Sequence, residues 1–254
     1  MASREQAVSL LSAANNHGDL AVKVSSFRQA KDILLSVEPA LAADLFPYLV
    51  DLQYSPEPLV RKLLLEIIEE ISWKGLEHLP VLVPIVVSFL GDTDYKIVRQ
   101  SIIIGTHLFC GVLEEMVVQF NRRGKVERWL DELWTWLLRF KDSVFAIALK
   151  PGSVGTRLHA LKFLETYVML FTAEPDNSEL PVNEGRRHMF NISWLVGSHP
   201  FLDSVMLRAD ANGTVGIFLN FLRSSGSLPG SLTIAVVNCV CLLFPCWRSS
   251  MGNV

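Results

Sequence analysis

Apolar residues recur along this chain at offsets of three, four and seven, the spacing of helices buried on one face. Ala7, Leu11 and Ala14 make one such series, Leu45, Leu49 and Leu52 a second, and Val83, Val87 and Leu90 a third. The three series are themselves evenly spaced, since Ala7, Leu45 and Val83 follow one another at equal intervals. A second set of positions keeps the same step. Lys23, Arg61 and Arg99 are each preceded by valine (Val22, Val60, Val98) and, just upstream, by a turn: His17-Gly18-Asp19, Tyr54-Ser55-Pro56 or Gly91-Asp92-Thr93. Four residues beyond each cation stand Phe27, Leu65 and Ile103; ten beyond stand Ile33, Ile71 and Phe109. A fourth copy fits at Arg157, with Leu161, Leu164 and Tyr167 in register. Each unit therefore reads as a helix, a short turn and a second helix.

A helical pair repeating every ~38 residues falls in the HEAT/armadillo class, a little under its usual size. One pair cannot cover its own apolar faces, so neighbours must supply the missing surface. The second helices are patterned for this. Ser101 to Leu113 carries no formal charge, as expected of a helix covered on several sides, whereas Leu59 to Ile71 keeps a polar stripe, Lys62, Glu66, Glu69 and Glu70, expected to face solvent. The recurring cation predicts a ladder of ion pairs between units, with Asp51, Asp92 and Asp94 as candidate acids. Such pairs set register more than they add stability.

The step then slips. The interval from Arg99 to Arg157 exceeds it by about half, and the pattern places the surplus in a longer second helix running to Asn121-Arg122-Arg123-Gly124. A tryptophan-rich first helix, Val126 to Lys141, follows with Trp129, Trp134 and Trp136. The interval from Arg157 to Thr233 is two full steps, and implies a degenerate unit whose loop is Ala173 to Pro181. Helices over Leu207 to Arg223 and Ser231 to Phe244 complete the series. The predicted fold is all-α: a HEAT/armadillo-like α-solenoid of about five to six antiparallel helix pairs. It forms one domain over residues 1–244, with a disordered tail at 245–254.

Composition narrows the function classes. Half of the 254 residues are apolar and 19% are charged, which excludes a disordered or solvating chain. A net charge of −3 gives no general attraction to nucleic acid or anionic lipid, so neither RNA nor a membrane is an expected partner. Fifteen glycines and 12 prolines are too few for an all-β chain of many tight turns. The first residues show no apolar secretory segment, and the dense apolar run Leu232 to Phe244 is short of the roughly 20 residues that span a bilayer. Four cysteines, mostly in apolar surroundings, suit a reducing compartment.

Catalytic and cofactor chemistry has no candidate constellation. Gly152-Ser153-Val154-Gly155 lacks the Lys-Ser/Thr ending of a phosphate-binding loop, and no nucleophile elbow or His-Glu-x-x-His pair occurs. His107 and Cys110 lie one turn apart on one helix face without a second ligand pair, so core packing is favoured over a metal. Cys239 and Cys241 diverge on a helix. The sequons at Asn191 and Asn212 read as chance matches without a secretory signal, and the basic clusters Arg122-Arg123-Gly124-Lys125 and Arg186-Arg187-His188 as solvated loop ends. The tryptophan stripe reads as core between helix pairs, with a partner groove as the alternative. No cofactor, no metal and no enzyme activity are expected.

The run Gly155-Thr156-Arg157-Leu158-His159-Ala160-Leu161-Lys162-Phe163-Leu164-Glu165 resembles a segment of the amino-terminal HEAT domain of the symplekin family. Val60-Arg61-Lys62 followed by Ile68-Glu69-Glu70, and His199-Pro200-Phe201 leading to Asn220-Phe221-Leu222, resemble that family in the same order, over about Ala7 to Phe244. A plant-like or divergent member is implied. The resemblance implies a nuclear, non-catalytic scaffold of pre-mRNA 3′-end cleavage and polyadenylation. Its implied protein partners are the phosphatase acting on serine 5 of the RNA polymerase II carboxy-terminal domain, and cleavage and polyadenylation factors. Carried over by motif, the partner-binding residues are Lys162 first, with Arg157, His159 and Phe163. Arg157 could equally close the repeat ladder, Phe163 could be core, and His159 could be an ordinary helix residue. The segment Phe244 to Val254 does not resemble the family, which implies a carboxy-terminally truncated form whose last helix frays or self-associates. The alternative to the symplekin reading is a generic HEAT-repeat adaptor in nuclear transport, trafficking or cytoskeletal regulation.

Overall fold

The structure, a computed structural model, describes residues 2–172, 190–195, 197–224, 226 and 228–251, and the side chains of these except residues 2, 3 and 244–251. It is all-α. Its contacts divide the chain into two compact units, residues 1–108 with 128–143, and residues 109–127 with 144–254.

The first unit begins with α1 (Ala2–Asn16) and α2 (Leu20–Ser36). Between them Asp19 caps α2, its Oδ1 accepting the Ala21 N–H at 2.7 Å. The first helix of the next pair is not one helix, as the periodicity suggests, but α3 (Pro39–Ala43), α4 (Phe46–Asp51) and a 3-10 turn at Leu52–Tyr54. The third pair is interrupted in the same way: a 3-10 turn at Leu79–Val81, α6 (Val83–Ser88) and a 3-10 turn at Phe89–Gly91. Proline explains the breaks. Pro39, Pro47, Pro80 and Pro84 each sit in the opening turn of a short segment, where a missing N–H costs nothing but an upstream helix cannot continue. The apolar register survives them: Ala7, Leu45 and Val83, Leu11 and Leu49, and Ala14, Leu52 and Leu90 are all buried.

The second helices of these pairs are α2, α5 (Pro58–Lys74) and the opening of α7 (Tyr95–Arg123), and α2 packs on α5. Phe27 and Leu65 are wholly buried and Ile103 is half-buried. The ladder is present with partly different acids. Lys23 pairs with Glu57 at 3.1 Å rather than with Asp51, and Arg61 pairs with Asp92 at 2.8 Å. Asp94 serves α7 instead, accepting the Lys96 N–H at 2.8 Å. The third rung stays open: Arg99 Nε is buried with no hydrogen-bond partner among the described residues. The acidic stripe of α5 also does more than face solvent, since Glu70 meets Lys31 at 2.5 Å and Glu69 meets His107 at 3.0 Å. Both contacts join neighbouring pairs. Ser101 Oγ donates to the Val86 carbonyl, tying α7 to α6.

The surplus after Arg99 does lie in a longer second helix. α7 is 29 residues long and stops at Gly124, which takes φ 67° and donates its N–H to Phe120 O at 2.8 Å. By length and composition α7 alone among the described helices is long and apolar enough to cross a membrane, and 56% of its apolar window is buried within the protein. The tryptophan helix is α8 (Arg128–Leu149), which starts just after the expected Val126 and runs about two turns past the expected end at Lys141, because Phe140, Val144 and Ala148 continue its buried stripe. Its tryptophans divide: Trp134 is buried, while Trp136 is half-buried with the Arg139 guanidinium 4.6 Å from its ring centre.

In the second unit α9 (Val154–Phe171), α10 (Ser204–Arg223) and α11 (Gly230–Met251) pack on one another. α10 starts three residues earlier than the periodicity suggests, because Asp203 accepts the N–H groups of Val205 and Met206 at 2.8 and 3.2 Å. α11 continues to Met251, so the boundary expected at Phe244 does not coincide with the helix end. Asn191 is buried and donates to Thr172 O at 2.9 Å, a structural task for a residue that the sequence flags only as a sequon. The expected loop Ala173–Pro181 and the cluster Arg186-Arg187-His188 lie outside the described residues.

Candidate partner-binding face

α9 carries every site residue singled out in the sequence. It is a helix of low amphipathicity because neighbours surround it: eleven of its residues are buried, from Thr156 to Phe171. Its aromatic side chains build the centre of the second unit. Phe163 stands edge-on to Phe109 with ring centres 5.5 Å apart, and Tyr167 lies 5.5 Å from Phe145 and 4.8 Å from Phe171. Tyr167 also donates its hydroxyl to Asp210 on α10 at 3.3 Å.

Burial divides the four residues of the motif-based assignment. Phe163 is core, 1% exposed, and cannot touch a partner without α9 leaving its place. Arg157 is buried too. Its Nε donates to Ala148 O at 3.3 Å and its guanidinium lies 6.0 Å from the centre of the Phe221 ring, so it closes the turn before α9. His159 is half-buried and its Nδ1–H donates to Gly155 O at 2.8 Å, an internal helix bond. Lys162 differs. It is the one exposed residue between Gly155 and Thr172, flanked by half-buried Leu158, His159, Thr166 and Met169.

Two residues at this face escaped the sequence reading. Glu165 is buried at 3% exposure, and its Oε1 accepts from Lys162 Nζ at 2.6 Å while Oε2 accepts from the Cys239 thiol of α11 at 2.9 Å. The signal available was a lone acid three residues after a lysine, which ordinarily marks a solvated pair. Burial and the facing carboxylate push the Cys239 thiol up to about 12. Cys110 is likewise pushed up to about 12, mainly by burial, which leaves it a packing residue. Among the described residues no group of three or more His, Cys, Asp or Glu is placed to hold a metal ion.

Paired helices joined by a ladder of basic and acidic side chains define a HEAT-like helical-repeat scaffold. Residues 94–252 match the family described as Symplekin/PTA1 N-terminal, more than half of the chain, and the chain belongs to that family. The family is one of scaffolds in mRNA 3′-end processing. The match runs to residue 252 and so takes in most of the segment Phe244 to Val254, which shares no recognisable motif with the family.

Proposed function

We propose that this chain is a non-catalytic nuclear scaffold of pre-mRNA cleavage and polyadenylation, and that its α9 face docks the serine-5 phosphatase of the RNA polymerase II carboxy-terminal domain. Family membership supports the scaffold role, and the isolated exposure of Lys162 supports the face. A single exposed cation among half-buried neighbours, Leu158 and Met169 among them, is suited to an acidic group at the centre of a protein interface, where its desolvation adds specificity. Arg157 and Phe163 contribute by holding α9 in place, and His159 by stiffening its first turn. The test is capture of the purified phosphatase by the full chain. Lys162→Gln is expected to weaken capture at unchanged helix content. Wild-type capture by that variant would remove the face from consideration. Gln is preferable to Glu, which would set a second carboxylate against buried Glu165. Nuclear fractionation of the tagged chain tests the compartment, and exclusion from nuclei would overturn it.

A further inference from the structure

The carboxylate of Glu165 is almost wholly inside the protein, yet one of its two oxygens is bound to an ammonium that reaches solvent. The Glu165 side chain is 4% exposed and that of Lys162 is 66% exposed. A carboxylate so buried is costly unless each oxygen finds a donor. Oε1 finds Lys162 on its own helix, and Oε2 finds Cys239 on α11. The thiol remains an S–H donor at physiological pH, because burial and Glu165 itself oppose its ionisation.

We propose that Glu165 is the positioning residue of the docking face, holding the Lys162 ammonium in one place and taking its own orientation from Cys239. The inference rests on the docking reading above and deepens it. A lysine ammonium has three donors, so one bond to Glu165 leaves two for an acidic group of the phosphatase. A free lysine must surrender its side-chain freedom when it binds. Lys162 has surrendered much of it already, and the interface gains by that preorganisation. Glu165 touches no partner. Its effect passes through Lys162 alone, and α11 sets the angle of the carboxylate.

The experiment measures dissociation constants for the full chain and the purified serine-5 phosphatase by calorimetry, with circular dichroism and melting curves on each variant. Glu165→Gln is expected to weaken binding about three- to tenfold, the cost of ordering one long side chain. In the Lys162→Gln background the same change is expected to have no effect. Cys239→Ser, which keeps a donor, should bind as wild type, and Cys239→Ala should be weakened only when Lys162 is present. An equal loss from Glu165→Gln with and without Lys162 would make the residue merely structural and overturn the proposal. Unchanged or tighter binding by Glu165→Gln would do the same, showing that the carboxylate competes with the partner. Wild-type binding by Lys162→Gln would bring down the docking face itself, and the positioning role with it. Should Glu165→Gln fail to fold, the two Cys239 variants carry the same comparison.

Discussion

Arg61 and Asp92, distant in sequence, form a two-point ion pair, with Nε to Oδ2 at 2.8 Å and Nη2 to Oδ1 at 3.1 Å. The remaining guanidinium nitrogen, Nη1, donates to the carbonyls of Ser55 and Pro56 at 2.7 and 3.1 Å. One side chain thus closes the turn of its own helix pair and fastens the next.

Both partners are largely buried, with side chains 11% and 7% exposed, so removing one strands the other. Asp92→Asn keeps the turn bond to the Asp94 N–H but discards the charge. It is expected to destabilise the first unit by about 3 kcal/mol, the low end for breaking a buried pair. Arg61→Met combined with Asp92→Asn should lose less than the two single losses added together. Urea denaturation of the single and double variants measures that coupling.

Gly105 lies where α7 meets α8, and a methyl group there would overlap the ring of fully buried Phe140. Gly105→Ala is therefore expected to destabilise by about 1–3 kcal/mol, as overpacking does, although alanine favours the helix. Phe140→Leu, by shortening the opposing side chain, should recover part of the loss in the double variant. Melting temperatures of the three proteins decide it.

His199 predicts a pH dependence. Its Nδ1 accepts the N–H groups of Phe201 and Leu202, both at 3.2 Å, and its ring meets that of Phe120 with centres 4.6 Å apart. Burial lowers its pKa below 6.5, opposed by the Met116 carbonyl. The unfolded chain therefore binds the proton more readily. Stability from this residue is complete above about pH 6.5 and is lost as pH falls through the folded-state value. Denaturation midpoints followed downward from about pH 7.5 should drop in the wild type and drop less in His199→Gln.

Lys162 and Glu165 predict a stability effect separate from binding. Lys162→Ala leaves a buried carboxylate without its cation and is expected to cost about 1–2 kcal/mol, discounted from a fully buried pair because the ammonium is solvated. Lys162→Ala with Glu165→Gln should recover most of that. Calorimetric melting of the single and double variants provides the check.

Much of the fold was legible in the sequence. The constant repeat step located the second helices and the cations at their starts, and Asn121 to Gly124 marked the end of the long helix. The breaks in the first helices were less visible, because the apolar register runs straight through Pro47 and Pro84. At the site, Lys162 stood out by lying off the buried stripe. Arg157 and Phe163 stood below it with two readings each, contact or interior, and only their burial in the packed helices separates those readings.

Helical periodicity, the repeat step and the placing of a cation at each second helix belong to the sequence alone, because they depend on side chains a few turns apart on one rigid helix. The choice of acid for each cation belonged to the tertiary structure. Lys23 meets Glu57 and Arg61 meets Asp92 because the rotation and separation of adjacent helices bring those oxygens within reach. The burial of Glu165 was decided in the same way: only the packing of α11 on α9 puts the Cys239 thiol over its second oxygen and closes it off from water.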